Sequence, residues 1–196
     1  MSMRYSEDVE KYDESKIGRR IAWGRSHSVY HYGETEVIRF PRAERWLAWL
    51  LRDGLSLRER FTRDISVCEQ YLGNYVLTTR VVESSQGQIA TIQPYISGRY
   101  FSKNDLQNEA IKAQFQDLIA RYETMYAAGY LVDLIGQGGV LRRRLSNILV
   151  LGDNNLKLFD AGLADMRIID RAPYIIQSAT KLILKRQRST LRYLLS

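Results

Sequence analysis

Short strand-like runs bounded by turn residues fill the first part of the chain. IGRRIAW (17–23), VYHYG (29–33) and EVIRF (36–40) are separated by the polar break GRSHS (24–28) and by Gly33-Glu34-Thr35, and Pro41 closes the series. Alternating runs between such breaks predict three consecutive antiparallel strands. The segment before them, 1–16, mixes charged and aromatic positions without a sustained period, so an arm or short edge helix is expected there, with the ordered fold starting near Ile17. The period then changes: Trp46, Leu47, Leu50 and Leu51 fall at helical spacing within 43–52, Gly54 ends that segment, and a second helix is predicted over 56–72. Gly73-Asn74 turns the chain into YVLTTRVV (75–82), whose antiparallel partner is IATIQPYI (89–96) across the loop ESSQGQ.

From Gly98 the text becomes helical. Ser102-x-x-Asp105 has the form of a helix-capping start, and Ile111, Phe115, Leu118, Ile119, Tyr122, Met125 and Tyr126 make one apolar stripe that ends at Gly129. YLVDLIG (130–136) and a Gly- and Arg-rich loop lead to a compact hairpin, ILVL and LKLF about the turn 152–155. Pro173 marks the entry to a last helix over 174–195. No internal repeat or low-complexity segment interrupts this order.

Composition bounds the class. With 196 residues, 45% of them hydrophobic, the chain can bury a core as one domain or two small lobes, and its one cysteine, Cys68, excludes an internal disulfide framework. No run reaches the roughly 18 apolar residues of a membrane span, and the opening lacks the apolar stretch of a signal peptide, so a soluble, cytoplasmic protein is expected. Lys plus Arg number 29 against 22 Asp plus Glu, a formal net charge of +7. That excess favours an anionic partner, and nucleotide, nucleic acid or phospholipid headgroups would all qualify.

The hairpin holds the candidate chemistry. Asn147 precedes its first strand and Asp160 follows its second, so antiparallel pairing brings two oxygen-bearing side chains to one end. Such a pair suits magnesium, a hard cation that takes few protein oxygens and keeps room for water and phosphate. Turn and cap chemistry uses the same residue types. Gly162, two residues past Asp160, allows a tight turn.

In order from about Ile17 to Asp165, these features resemble the protein kinase-like superfamily, with its aminoglycoside phosphotransferase and choline kinase branches. Asn147 and Asp160 look like the catalytic-loop asparagine and the DFG aspartate, with Asp160-Ala161-Gly162 as the DFG equivalent. Gly24-Arg25-Ser26-His27-Ser28-Val29-Tyr30 looks like the glycine-rich loop, with Ser26 and Ser28 at glycine positions. Val37-Ile38-Arg39 occupies the place of the V-A-I-K strand, and Arg39 replaces the lysine with a planar fork. Glu59, or alternatively Glu69, would be the glutamate of the following helix. Gln93-Pro94-Tyr95-Ile96 is similar to the hinge, with Gln93 as gatekeeper and the backbone of Pro94 and Ile96 facing adenine. Asp133 matches the H-R-D aspartate, yet 14 residues separate it from Asn147 where that motif has about five, so Gly136 to Leu145 reads as an insertion carrying Arg142, Arg143 and Arg144. No Asp or Glu lies in Leu134 to Ser146, which leaves Asp133 as the local carboxylate for an acceptor proton. His27 and His31 lack a third ligand nearby and do not read as a metal site.

The resemblance implies a two-lobed, α+β kinase-like fold: an arm (1–16), an N-lobe with a five-stranded antiparallel sheet (17–97) and a reduced helical C-lobe (98–196). It implies ATP and magnesium as cofactors and phosphoryl transfer to an unidentified acceptor, with an anionic acceptor or a protein partner both open. Arg39 in place of Lys, the long Asp133 to Asn147 loop and the 31 residues after Asp165, too few for a peptide-seating subdomain, keep a pseudokinase as the second reading. A basic nucleic-acid-binding protein is the third, from Arg142 to Arg144 and Lys185 to Arg188 with their neighbouring tyrosines.

Overall fold

The computed structural model describes residues 10–23, 27–42, 54–136, 145–159 and 163–196. In chain order its elements are β1 (Ile17–Trp23), β2 (His27–Tyr32), β3 (Glu36–Pro41), α1 (Leu57–Leu72), β4 (Arg80–Glu83), β5 (Ile89–Pro94), β6 (Gly98–Tyr100), α2 (Glu109–Ala127), β7 (Tyr130–Val132), β8 (Ile148–Leu151), β9 (Leu156–Leu158), β10 (Leu163–Asp165), α3 (Met166–Ile169) and α4 (Tyr174–Leu195). The chain divides into two compact units: 1–49, 54–62 and 78–95 form the first, and 50–53, 63–77 and 96–196 the second. The Trp-rich segment expected to be helical over 43–52 lies outside the described residues.

The first unit is built on an antiparallel sheet of five strands in the order β1-β2-β3-β5-β4. β1 to β3 are the expected meander, and β5 inserts beside β3, with Ile38 opposite Ile92 and Arg39 opposite Thr91. Side chains alternate across a strand, so the register puts Tyr32, Ile38, Val82, Ala90 and Ile92 on one face, where Tyr30 and Phe40 join them in a buried cluster. Tyr12 belongs to the same cluster, and Lys11 bridges Glu83. Ordered packing therefore begins before Ile17, because the Tyr12 ring joins the buried cluster. Of the expected strand 75–82 only the end is formed: Gly73–Tyr75 is a 3-10 turn and β4 starts at Arg80. The buried Tyr75 there donates its hydroxyl to Asp117 of α2, 2.9 Å away, and this tertiary bond overrides the local β preference.

The second unit packs α1 from Val67 on, α2 and α4 around Phe101, Phe115, Leu118, Tyr122 and Met125, with a two-stranded sheet (β10-β7) and a three-stranded sheet (β6-β8-β9). The α2 stripe is buried as its period predicts. Its start differs. Ser102 and Asp105 form a capping box on a short 3-10 helix, Lys103–Gln107, and Asn108 caps α2 by accepting from the N–H groups of Ala110 and Ile111. Two capping residues six apart are both used, each for its own turn. α4 runs over the predicted 174–195. Among the described residues no helix is long and apolar enough to cross a membrane.

Candidate functional site

On the first unit's sheet, the face opposite the aromatic cluster carries Val37, Arg39, Thr91 and Gln93, as strand parity requires. Gln93 and His27 help to hold Arg39 there. One guanidinium nitrogen donates to Gln93 Oε1 at 3.2 Å, and another lies 3.3 Å from His27 Nδ1. The proposed phosphate cation and the proposed gatekeeper are thus in contact, and His27, one of the histidine pair that does not read as a metal site, is a further partner of Arg39. Ser28 lies opposite Phe40, so its side chain falls on the other face from Arg39; only its backbone could serve a phosphate on the Arg39 side. Gly24 and Ser26 lie outside the described residues.

At the end of β5, Pro94 pairs with Glu36 and has no N–H to offer, while the Tyr95 N–H donates to Thr35 O at 2.8 Å. Ile96 follows in the second unit, half-buried. Glu59 serves the N-terminus of α1. It accepts from Ser56 N and Oγ at 2.8 and 2.7 Å, and its own N–H donates to Ser56 Oγ, the reciprocal arrangement of a capping box. Those bonds to the Ser56 hydroxyl and N–H hold its carboxyl below the ordinary range. Glu69 is exposed further along the same helix.

In the second unit, Asp133 and Asn147 come together. β7 delivers the chain to Asp133, whose Oδ1 accepts from the N–H groups of Ile135 at 3.0 Å and Gly136 at 2.9 Å, an Asx-type turn. Asn147 Nδ2 donates to the Asp133 carbonyl at 2.7 Å. Backbone bonds from Asn147 N to Leu134 O (3.3 Å) and from Ser146 N to Ile135 O (3.2 Å) close the root of the long loop. Residues 137–144, which include the three arginines, lie outside the described residues. Leu134, Ile135, Leu145 and Ile148 are fully buried, so this root is anchored in the core. Gly136 is required there: its φ is +57°, and a Cβ would collide with Asn147 Oδ1. The long interval between Asp133 and Asn147 therefore leaves its two ends adjacent. Asp160 lies outside the described residues, but Phe159, just before it, donates its N–H to Asn147 O at 3.1 Å.

Gln187 completes this root and was not foreseen. It is fully buried on α4, donates Nε2 to Val132 O at 3.1 Å and accepts at Oε1 from Leu134 N at 2.9 Å, gripping the backbone on both sides of Asp133. The legible signal was a polar residue on the core stripe that Leu191 and Leu194 continue, since a glutamine buried among leucines needs partners for both ends. Nearby, Asp165 caps α3 and takes two bonds from the Arg167 guanidinium, which also donates to the Tyr130 hydroxyl at 2.8 Å. Burial pushes the Asp165 carboxyl up, and the Arg167 side chain and N–H outweigh it, holding it below the usual range. Burial likewise pushes the Cys68 thiol up to about 12, so it behaves as an inert core residue. Among the described residues no group of three His, Cys, Asp or Glu side chains could hold a metal. A magnesium site here would be of the sparse kind, one amide and one carboxylate, and the hard oxygen donors Asn147 and Asp160 fit that chemistry.

No protein-family model and no curated protein matches the chain. Among solved structures it is similar to the Legionella pneumophila Lpg2603 kinase bound to IP6, with a TM-score of 0.55 at 13% identity, over 93% of this chain. This chain spans 59% of the length of that one. At that identity the likeness is one of fold: a mixed α+β, kinase-like architecture with a five-stranded antiparallel sheet.

Proposed function

We propose that the chain binds ATP with magnesium and transfers a phosphoryl group to an acceptor hydroxyl. The observation that carries this reading is the bond from Asn147 Nδ2 to the Asp133 carbonyl, which joins two residues 14 apart in sequence at the root of a closed loop. Magnesium, when bound by Asn147 and Asp160, would offset charge on the β- and γ-phosphates. Asp133 orients the acceptor hydroxyl and takes its proton as the oxygen bonds to phosphorus and the bond to the ADP oxygen breaks. Arg39, steadied by Gln93, meets phosphate with a fork of N–H donors. The backbone about Pro94 and Ile96 receives the base. IP6, the ligand of the solved neighbour, makes inositol phosphates the first anionic acceptors or effectors to try.

A pseudokinase is the second reading, favoured by the Asp133 Oδ1 atom, which is engaged by two backbone N–H groups of its own turn. One experiment separates the two. Calorimetric titration with ATP and magnesium is followed by a phosphate-transfer assay on wild type and Asp133→Asn. The enzymatic reading expects equal affinities and a turnover lower by about a hundredfold or more in the variant. Binding without turnover in wild type leaves the pseudokinase, and no binding by wild type removes both.

A further inference from the structure

The last helix presents a surface that phosphoryl transfer does not use. α4 carries five cations, Lys181, Lys185, Arg186, Arg188 and Arg192, and no Asp or Glu, within a chain whose formal net charge is +7. Intervals of four, three and four residues place Lys181, Lys185, Arg188 and Arg192 on one stripe, about 16 Å long at 1.5 Å per residue. All five cations are exposed. Several cations elsewhere are compensated: Arg63 meets Asp64, Arg80 meets Glu36, Arg121 meets Asp117 and Arg167 meets Asp165. Among the described residues none of the α4 cations makes an ion pair. Arg188 instead lies 4.9 Å from the centre of the Tyr126 ring, and Lys103, 4.8 Å from that of Tyr193, adds a cation to the same surface.

Beside the basic stripe is a side that carries three apolar residues and Arg186, which stands four past Leu182 and seven before Tyr193. Ile175 and Leu182 are seven apart and Tyr193 is eleven further on, intervals that return to nearly the same side of a helix. Ile175 is 75% and Leu182 52% exposed, and Tyr174, at the start of the helix, is 83% exposed. Thr180, Gln187, Thr190, Leu191 and Leu194 bury the opposite face, so the helix cannot roll these residues inward.

We propose that this side of α4 docks on an anionic phospholipid bilayer, with the cations at headgroup phosphates and Ile175, Leu182 and Tyr193 entering the boundary with the acyl chains. Basic residues beside exposed apolar ones are what an interfacial helix needs. Nucleic acid would satisfy the cations and stack on the tyrosines, but exposed isoleucine and leucine offer a base no aromatic face. The proposal is independent of the phosphoryl-transfer reading.

Co-sedimentation of the full chain with vesicles tests it. Binding is expected to phosphatidylcholine vesicles containing phosphatidylserine and not to phosphatidylcholine alone. Each cation near an anionic surface is worth about fivefold, so Lys181→Glu with Lys185→Glu should weaken binding by about 25-fold or more. Ile175→Ser with Leu182→Ser keeps every charge and should weaken binding by about tenfold. Both pairs are exposed and should melt as wild type does, which separates lost docking from lost fold. Failure to sediment with phosphatidylserine vesicles overturns the proposal. It also falls if the Ile175, Leu182 variant binds them as wild type does, or if a single-stranded RNA oligonucleotide binds while the vesicles do not.

Discussion

In the five-stranded sheet, neighbours in space are mostly neighbours in sequence. β1, β2 and β3 follow one another through short connections and β4 and β5 form a hairpin, so three of the four pairings follow local turn chemistry, while that of β3 with β5 joins distant segments. The root of the Asp133 loop is assembled differently. Asp133 meets Asn147 across 14 residues, and the backbone beside it is held by Gln187 across more than 50. Polar groups differ in the same way. Arg39 is half-buried and bonds to the side chains of Gln93 and His27, whereas Gln187 and Asn147 are buried and bond to backbone groups of the loop root. A side chain bonded to other side chains can be changed while the strand ladder beneath it stays intact. A root assembled from remote segments depends on each clamp.

The largest expected effect is in the second unit's core. Phe115 is fully buried and stacks on Phe101 with ring centres 4.6 Å apart. Phe115→Ala should cost about 3–5 kcal/mol, the usual range for emptying a core aromatic site, as measured by urea unfolding. Hydrogen exchange should show the loss at Leu118, Leu134 and Ile148 while the Ile38 and Ile92 amides keep their protection. Equal loss at the sheet amides would break the comparison.

Next is the clamp itself. Gln187→Leu keeps apolar volume and strips the Leu134 N–H and the Val132 carbonyl of their partner, at about 1–3 kcal/mol for each buried group left unpaired. Exchange at the Leu134 amide should accelerate most. Under the phosphoryl-transfer reading, turnover should fall more than ATP affinity, because the Asp133 backbone moves and the sheet does not. Parallel losses of both would make Gln187 a general core residue.

The same contrast decides what could be read from the residues alone. β1, the last strand of the meander, α1 and α4 follow runs whose period and punctuation are local, and they formed where those runs lie. The stretch from Tyr75 to Thr79 has the composition of a strand, but its first side chain is claimed by Asp117, a partner that no window around it contains. Ser102 and Asn108 are both competent caps, and only packing assigns α2 to the second. Asp133, Asn147 and Arg39 are legible as charged or amide groups through the family resemblance, although Asp133 and Asn147 stand 14 apart where that motif has about five. His27 and Gln187 are not, because what they do depends on the atoms they touch, and those atoms lie on other strands or another helix.

Acid should separate the units by a smaller margin. The folded Asp165 carboxyl is held below its unfolded value, so its contribution is complete above the ordinary Asp range, about 3.9, and is lost as pH falls through the depressed value. Asp165→Asn should flatten the decline of stability below about pH 4. In the first unit Asp13 is also held low, by the Ser15 hydroxyl and N–H, but it is exposed, and Asp13→Asn should flatten the decline less. The reverse order, read from urea midpoints across this pH range, would mean that the Arg167 contact does not hold in solution.

The smallest effect compares two helix starts. Ser56 caps α1 through its box with Glu59, and Asn108 caps α2 by accepting from two N–H groups at 3.0 and 3.3 Å. Replacing such a cap by alanine costs about 1 kcal/mol, so the single substitutions by themselves should look alike in a melting experiment. The sharper readout is where each is felt. Asn108→Ala should speed exchange at Ile111 and the residues after it in the first turn of α2, next to a core already formed by Ile111 and Phe115. Ser56→Ala should fray the part of α1 before Arg63, the stretch assigned to the first unit, and leave Val67, Cys68 and Leu72 protected by the second core. If Ser56→Ala instead deprotects α1 through Leu72, the helix melts as one piece, and the boundary at Arg63 does not divide its stability.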